Sequence, residues 1–323
     1  MSLNEALLRE AALSLNHAHS VLIVSHIRPD GDAVGSLIGL GLALEQKNLQ
    51  VQMVIGDGVP ASLRHLEGTN RVLQKPRGEF DLIITVDCSD LERAGNALKG
   101  KPTIDINFDH HVTNNKFAHI NLIDDQAAAT SEMIVDILPE FGLQLSPAVA
   151  AALLTGLITD TIGFRTSNVR PRTLRSAARL METGVDMADL YRRALINRSY
   201  ESVKFWGSGL INLERDGRLV WTTLTMDDRK LAGYPGRDDA DLINVLSSID
   251  EVDIAMVFIE QPNGRIKVSW RAQPGFNVAE IAAVFGGGGH PAASGVEVSG
   301  NLSDIRTAVL EKTRSLINGG YRV

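Results

Sequence analysis

Eight side chains that bind cations or move protons sit in four separated stretches of the 323-residue chain. They are His26, Asp30 and Asp32, then Asp87, then Asp109, His110 and His111, and finally Asp160. Five carboxylates and three imidazoles gathered in one place repel and desolvate one another unless cations stand among them. Two divalent ions resolve that conflict, with carboxylates bridging and neutral imidazoles filling the remaining positions. A nitrogen- and oxygen-rich donor set suits Mn2+ better than a thiolate-preferring ion, with Mg2+ or Co2+ able to substitute. Paired ions generate hydroxide near neutral pH and clamp the oxygens of an in-line phosphoryl displacement. No stretch decides this alone. Asp30-Gly31-Asp32 has the form of many turns, and His110-His111 by itself reads as a polar loop.

The fold must therefore bring distant segments together, and the elements flanking them show how. Val21-Leu22-Ile23-Val24 and Leu82-Ile83-Ile84-Thr85-Val86 are short, apolar, β-branched runs, as buried parallel strands are. Thr103 to Asn107 alternates in the β manner and leads to Asp109-His110-His111. Adjacent strand residues point to opposite faces, so the two imidazoles serve one centre only where the strand breaks into a turn. Ser146-Pro147 opens an apolar helix over 147–160 that delivers Asp160 at its end. In a doubly wound parallel sheet the carboxyl ends of the strands share one edge, where ligands bind. The expected class is α/β, with an N-terminal, mainly parallel sheet, a smaller C-terminal α/β domain, and the active site in the cleft between them.

That C-terminal part carries strand patterns at Leu219 to Thr225, Asp253 to Ile259 and Arg265 to Arg271. Helical patterns fall over 239–247, 277–285 and 302–317. The expected boundaries are a catalytic, metal-binding domain over 1–190, a helical linker over 191–212 acting as the hinge, and a substrate-binding domain over 213–323. The apolar helices at 129–142 and 147–160 offer a face for a homodimer. Arg165, Arg170, Arg172, Arg175 and Arg179 read equally as a solvated helix face or as phosphate-facing cations.

Composition excludes several classes. The net charge of -7 makes the chain a poor binder of long duplex nucleic acid, whose affinity comes from phosphate neutralisation. Any nucleotide substrate is then small or held by a local basic patch. Cys88 is the one cysteine, so an intrachain disulfide or a Cys-rich zinc site is excluded, and the thiol is expected to pack as a small apolar group. No apolar run approaches a membrane span, and no signal-peptide layout opens the chain, so a cytoplasmic protein without membrane partners is expected. His17, His19, His65 and His119 lack comparable partners and read as surface or helix-end residues. Asp90 reads as a helix cap.

Taken in order, His26-Ile27-Arg28-Pro29-Asp30-Gly31-Asp32-Ala33, Asp87, Asp109-His110-His111 and Asp160-Thr161 resemble the four motifs of the DHH phosphoesterase superfamily. Phe285-Gly286-Gly287-Gly288-Gly289-His290-Pro291-Ala292-Ala293-Ser294-Gly295 resembles the glycine- and histidine-containing motif of the DHHA1 substrate domain. The resemblance covers nearly the whole chain, and its length and domain order look like the NrnA subfamily. That subfamily degrades very short RNA and removes the 3′-phosphate from pAp, and related members hydrolyse linear or cyclic dinucleotides.

The resemblance implies one ion held by His26, Asp30 and Asp87 and another by Asp32, Asp87, His111 and Asp160. It implies Asp109 orienting a histidine, and His110 near the phosphate as a hydrogen-bond or proton donor. In the second domain it implies substrate contacts from Arg271, Gly288, Gly289 and His290. Read from the residues alone, the glycine run is a flexible loop or an anion-binding one, since it matches neither a P-loop nor G-x-G-x-x-G. A family II pyrophosphatase shares the first-domain motifs but carries a different C-terminal domain. A non-catalytic nucleotide-binding module is the reading from another class, and the filled ligand positions disfavour it.

Overall fold

Buried runs of Val, Ile and Leu make the first sheet, from β1 (Ser20–Ser25), β2 (Gln50–Ile55), β3 (Leu82–Val86), β4 (Ile106–Asp109) and β5 (Ile120–Ile123). The structure is a computed structural model that describes residues 3–100 and 103–318, and the chain divides into two units, Met1–Asn197 and Arg198–Val323. All pairings in the first sheet are parallel, in the order β2-β1-β3-β4-β5. Growth of the sheet reverses at β1, so the switch point lies between β1 and β3, where ligands of such sheets bind. His26 follows β1 directly and Asp87 follows β3.

The helices of this unit are α1 (Glu5–His17), α2 (Gly31–Glu45), α3 (Thr130–Ile137), α4 (Pro147–Asp160), α5 (Pro171–Met181) and α6 (Met187–Tyr191). Alternate residues of β1 explain its unbroken apolarity. Val21 and Ile23 join the core under α2, α3 and α4, whereas Leu22 and Val24 join a second core with Ala94, Ala97 and Leu98. That second face is covered by the 3₁₀ segment Glu92–Leu98 rather than by long helices. α2 and α4 pack with their backbones nearly touching. A Cβ on Gly35 would lie 2.5 Å from the Ala152 carbonyl oxygen, so the small residues of α2 are a packing requirement.

The second unit contains α7 (Tyr200–Ile211), β6 (Glu214–Asp216), β7 (Leu219–Leu224), α8 (Met226–Ala232), α9 (Leu242–Leu246), β8 (Ile254–Glu260), β9 (Arg265–Ala272), α10 (Val278–Val284), β10 (Gly288–His290), β11 (Ala293–Ser299) and α11 (Leu302–Asn318). Its sheet runs β10-β11-β9-β8-β7-β6, parallel only between β7 and β8. Ile266, Val268 and Trp270 face the core shared with α10 and α11. Val220, Ala255 and Val257 face Phe205 of α7 and Leu242 of α9.

Several expectations need correcting. The strand expected over Thr103 to Asn107 is β4, shifted so that Asp109 is its last residue. The division of the chain falls after Asn197, within the stretch expected to be a linker, and α7 contributes Phe205 to the second unit's core. Most apolar residues of helices α3 and α4 are buried inside the first unit. The second half of the glycine run, Gly288 to His290, is an edge strand of a hairpin, and Gly286 and Gly287 lead into it from a turn. Among the described residues no helix is long and apolar enough to cross a membrane.

Candidate metal centre

Asp30 is the N-cap of α2. Its Oδ1 accepts from the Ala33 N–H at 3.0 Å, and its Oδ2 stands 3.8 Å from His26 Nε2. His26 and Asp87 are buried, with His26 Nε2 3.3 Å from Asp87 Oδ2. Asp87 has φ 59, a left-handed turn that Asp tolerates better than most residues and that ends β3. Its other oxygen, Oδ1, lies 3.8 Å from His110 Nε2 and 3.7 Å from His111 Nδ1. His110 Nε2 is 3.5 Å from Asp160 Oδ2 at the end of α4.

All eight residues drawn from the sequence therefore lie in one neighbourhood, at the switch point of the sheet. Three of their groupings place donor atoms within 4.8 Å of one another: His26, Asp30 and Asp87; Asp87, His110 and His111; Asp32, His110 and Asp160. Donor atoms bound to one octahedral ion at about 2.1 Å are about 3 to 4.2 Å apart. The separations above fall in that range. His26 Nε2 is buried and has no hydrogen-bond partner, which a neutral imidazole aimed at an ion explains. The donors are nitrogen and oxygen without sulfur, so the residues fit a divalent ion of that preference.

Each imidazole is oriented through Nδ1. His26 Nδ1 lies 2.9 Å from the Ile27 carbonyl oxygen, His110 Nδ1 is 3.3 Å from that of Ala127, and His111 Nδ1 is 2.7 Å from Asp109 Oδ1. A proton on Nδ1 in each case leaves Nε2 as the reactive nitrogen. Asp109 is itself held, its Oδ2 accepting from Asn114 Nδ2 at 2.6 Å.

The electrostatics carry the mark of crowded carboxylates. Burial first, and then the charge of Asp87, pushes Asp32 up to about 6. Burial and the neighbouring Asp32, Asp87 and Asp30 push Asp160 well above the usual carboxylate range, and its place at a helix C-terminus acts in the same direction. Asp87 moves the other way, because His26, His110 and His111 outweigh the effect of its burial. Burial opposes protonation of His26, but Asp30 and Asp87 outweigh it and raise the imidazole to about 10. His110 and His111 are raised as well, against their burial, by nearby carboxylates that include Asp87 and Asp109. Bound cations relieve all of these conflicts at once.

Some contacts had no signal in the sequence. The Thr130 and Ser131 N–H groups donate to Asp32 Oδ2 and Oδ1 at 2.6 and 2.9 Å, and Thr130 Oγ1 donates to Asp87 Oδ1 at 3.0 Å. Thr-Ser-Glu before an apolar run reads as a helix start and nothing more. Arg172, one of the clustered arginines, turns inward onto Asp124, Glu132 and Asp136, while Arg165, Arg170 and Arg175 are exposed. Cys88 is buried, and burial pushes its thiol up. Its backbone carbonyl accepts from Asn107 and Asn114.

The second unit holds the other expected residues. Register aligns Arg271 with Ala293 and Ala293 with His290, so Arg271 and His290 share a face with β11 between them. Arg271 Nε donates to Asn244 Oδ1 at 3.3 Å. Gly287 and Gly289 are required by packing, since a Cβ would meet the Gly295 and Ala293 carbonyl oxygens at 2.4 and 2.5 Å. Gly288 faces open space.

A parallel sheet gathering such groups at its switch point is one half of a recognisable pair. Residues 20–157 match the model of the DHH family, N-terminal domain, and residues 230–317 match the DHHA1 domain. The chain belongs to the DHH family of phosphoesterases. Within it, the chain is similar to proteins named bifunctional oligoribonuclease and PAP phosphatase NrnA. It is 33% identical over 310 residues to the one from Thermus thermophilus, covering 93% of this chain and 91% of that protein. It is 28% identical over 315 residues to the one from Mycoplasma genitalium, covering 94% and 96%. The crystal structure of an exopolyphosphatase-related protein from Bacteroides fragilis superposes with a TM-score of 0.90 at 26% identity, covering 98% of this chain and 99% of that one.

Proposed function

We propose that this protein hydrolyses short oligoribonucleotides, dinucleotides such as pApA among them, to mononucleotides and converts pAp to AMP. It does so with two divalent ions, Mn2+ foremost. The domain over 1–190 is the catalytic one, and that over 213–323 binds substrate. The observation that carries the reading is the placing of Asp87, whose Oδ2 faces His26 while its Oδ1 faces His110 and His111. A carboxylate whose two oxygens face different imidazoles would serve as a bridge between two ions.

His26, Asp30 and Asp87 would hold one ion, and Asp32, Asp87, His110 and Asp160 the other. Paired ions supply a nucleophile at neutral pH and neutralise the equatorial oxygens of the phosphoryl group. The two imidazoles exchange the roles implied by the sequence resemblance. His110 Nε2 lies among Asp87, Asp32 and Asp160, which supports a ligand. His111, held at Nδ1 by Asp109 and raised by the same carboxylate against its burial, donates to the phosphate or the leaving oxygen. In the second unit Arg271 supplies a guanidinium, and Gly288, Gly289 and His290 supply an edge strand open to an anion.

The test is a turnover panel of pApA, longer oligoribonucleotides, pAp and cyclic di-AMP with Mn2+. The reading expects mononucleotides from pApA and AMP from pAp, with rates falling as the oligomer lengthens. Hydrolysis of cyclic di-AMP alone would move the assignment to a cyclic-dinucleotide phosphodiesterase. Turnover of none of them would remove it.

A further inference from the structure

The connection from β5 to α3 reaches the metal centre at three side chains. The Ala127 carbonyl oxygen meets His110 Nδ1 at 3.3 Å, Thr130 and Ser131 N–H groups hold Asp32, and Thr130 Oγ1 holds Asp87 at 3.0 Å. Thr130 is fully buried, so its hydroxyl hydrogen goes to Asp87 and not to water. Glu132 braces the connection from behind: its Oε2 accepts from the Ala128 N–H at 2.7 Å and from Thr173 Oγ1 at 3.2 Å. Arg172 Nε in turn lies 3.2 Å from Glu132 Oε1.

Lone-pair counting gives this arrangement its meaning. Each carboxylate oxygen offers two acceptor directions. Asp32 Oδ1 accepts from the Ser131 N–H and from Ser36 Oγ at 3.2 Å, while among the described residues Oδ2 accepts only from the Thr130 N–H. Asp87 Oδ1 gives one direction to the Thr130 hydroxyl. The geometry points to Thr130 as a positioning residue that locks Asp32 and Asp87 together, so that Asp32 Oδ2 and Asp87 Oδ1 each keep one defined lone pair for a cation. This inference rests on the two-ion reading of the centre. Among the described residues Thr130 is the single one whose amide holds one of these carboxylates and whose side chain holds the other. Gly156 leaves room for the same cradle, since a Cβ there would meet Ser131 Oγ and would lie 2.8 Å from Asp32 Oδ1.

Two variants separate the hydroxyl from the fold. Thr130→Val keeps the shape and the amide, and Thr130→Ser keeps the hydroxyl. Metal-stripped full-length proteins are titrated with Mn2+ alone by calorimetry, and the EPR signal of a coupled Mn2+ pair is recorded at saturation. Wild type and Thr130→Ser are expected to bind two ions and give the coupled signal. Thr130→Val is expected to bind the second ion about 10- to 100-fold more weakly, the usual loss when a partner behind a ligand is removed. Its metal-free melting temperature should stay near wild type, and kcat should fall with KM unchanged. A Thr130→Val isotherm and spectrum matching wild type overturn the inference and leave the two-ion reading standing. Wild type binding fewer than two ions overturns both. If Thr130→Val does not fold, Thr130→Ala takes its place: weakened binding supports the inference when Ser restores it, and unweakened binding overturns it.

Discussion

His26 Nε2 and Asp87 Oδ2 stand 3.3 Å apart, both buried, without the geometry of a hydrogen bond. A buried nitrogen without a hydrogen-bond partner is costly in a dry site. The same separation is ordinary for two ligands of one ion. The pair therefore marks where a cation belongs, and it makes the metal-free protein sensitive to pH.

That sensitivity has a defined sign. The His26 imidazole is raised to about 10 from an ordinary 6.5. A raised folded value means that protonation stabilises the fold. The contribution is complete below 6.5 and is lost as pH rises through about 10. His110 and His111 shift in the same direction. The melting temperature of metal-stripped protein should thus fall between about pH 7 and pH 10. The increase produced by Mn2+ should grow over the same interval, because a bound ion requires neutral imidazole. Calorimetric melting curves with and without Mn2+ check both trends.

The two adjacent imidazoles should separate by assay. His110→Ala is expected to lose Mn2+ and, with it, turnover. His111→Ala should keep its metal content and lose about 100-fold or more in kcat, in the range of a missing proton donor. Metal analysis beside steady-state kinetics distinguishes them, and the opposite pattern would restore the roles that the sequence resemblance implied.

Arg172 is the counter-charge for two carboxylates that are almost fully buried, Asp124 and Glu132. Truncating one partner of such a network leaves charge without compensation and costs about 3 kcal/mol or more. Arg172→Ala should lower stability in urea by that amount, while a lysine at the same position should recover only part of it, having no planar fork.

The glycine strand offers a contrast within one hairpin. Gly287→Ala forces a Cβ against the Gly295 carbonyl oxygen at 2.4 Å, whereas Gly288→Ala enters open space. The first should destabilise the second unit by about 1 kcal/mol or more. The second should leave melting unchanged and raise KM for pApA, because the added methyl stands on the backbone proposed to meet the substrate. Melting curves and KM values on both variants test the distinction.

Strand ends and ligand candidates were legible in the sequence for one physical reason. A parallel strand buried on both faces is uniformly apolar, so the polar residue that ends it stands out, as Asp87 does after Leu82 to Val86. The Thr130 cradle was not legible, since its key donors are backbone amides and any residue type carries one. The different partners of His110 and His111 were hidden because they depend on which nitrogen the Ala127 carbonyl and Asp109 each engage. Edge strands β5 and β10 are too short, and β10 too glycine-rich, to show a period of two. The arginine cluster misled because the buried carboxylates that Arg172 meets come from residues 124–136, outside its own helix.

The central claim is that Asp87 bridges two ions, and the number of ions per chain tests it most directly. Wild type reconstituted with Mn2+ and freed of excess should carry two ions by elemental analysis. Asp87→Asn, which keeps the left-handed backbone tolerance at φ 59, should fold yet retain fewer than one and hydrolyse pApA more than about 100-fold more slowly. Two ions retained by Asp87→Asn, or none taken up by wild type, would contradict the account.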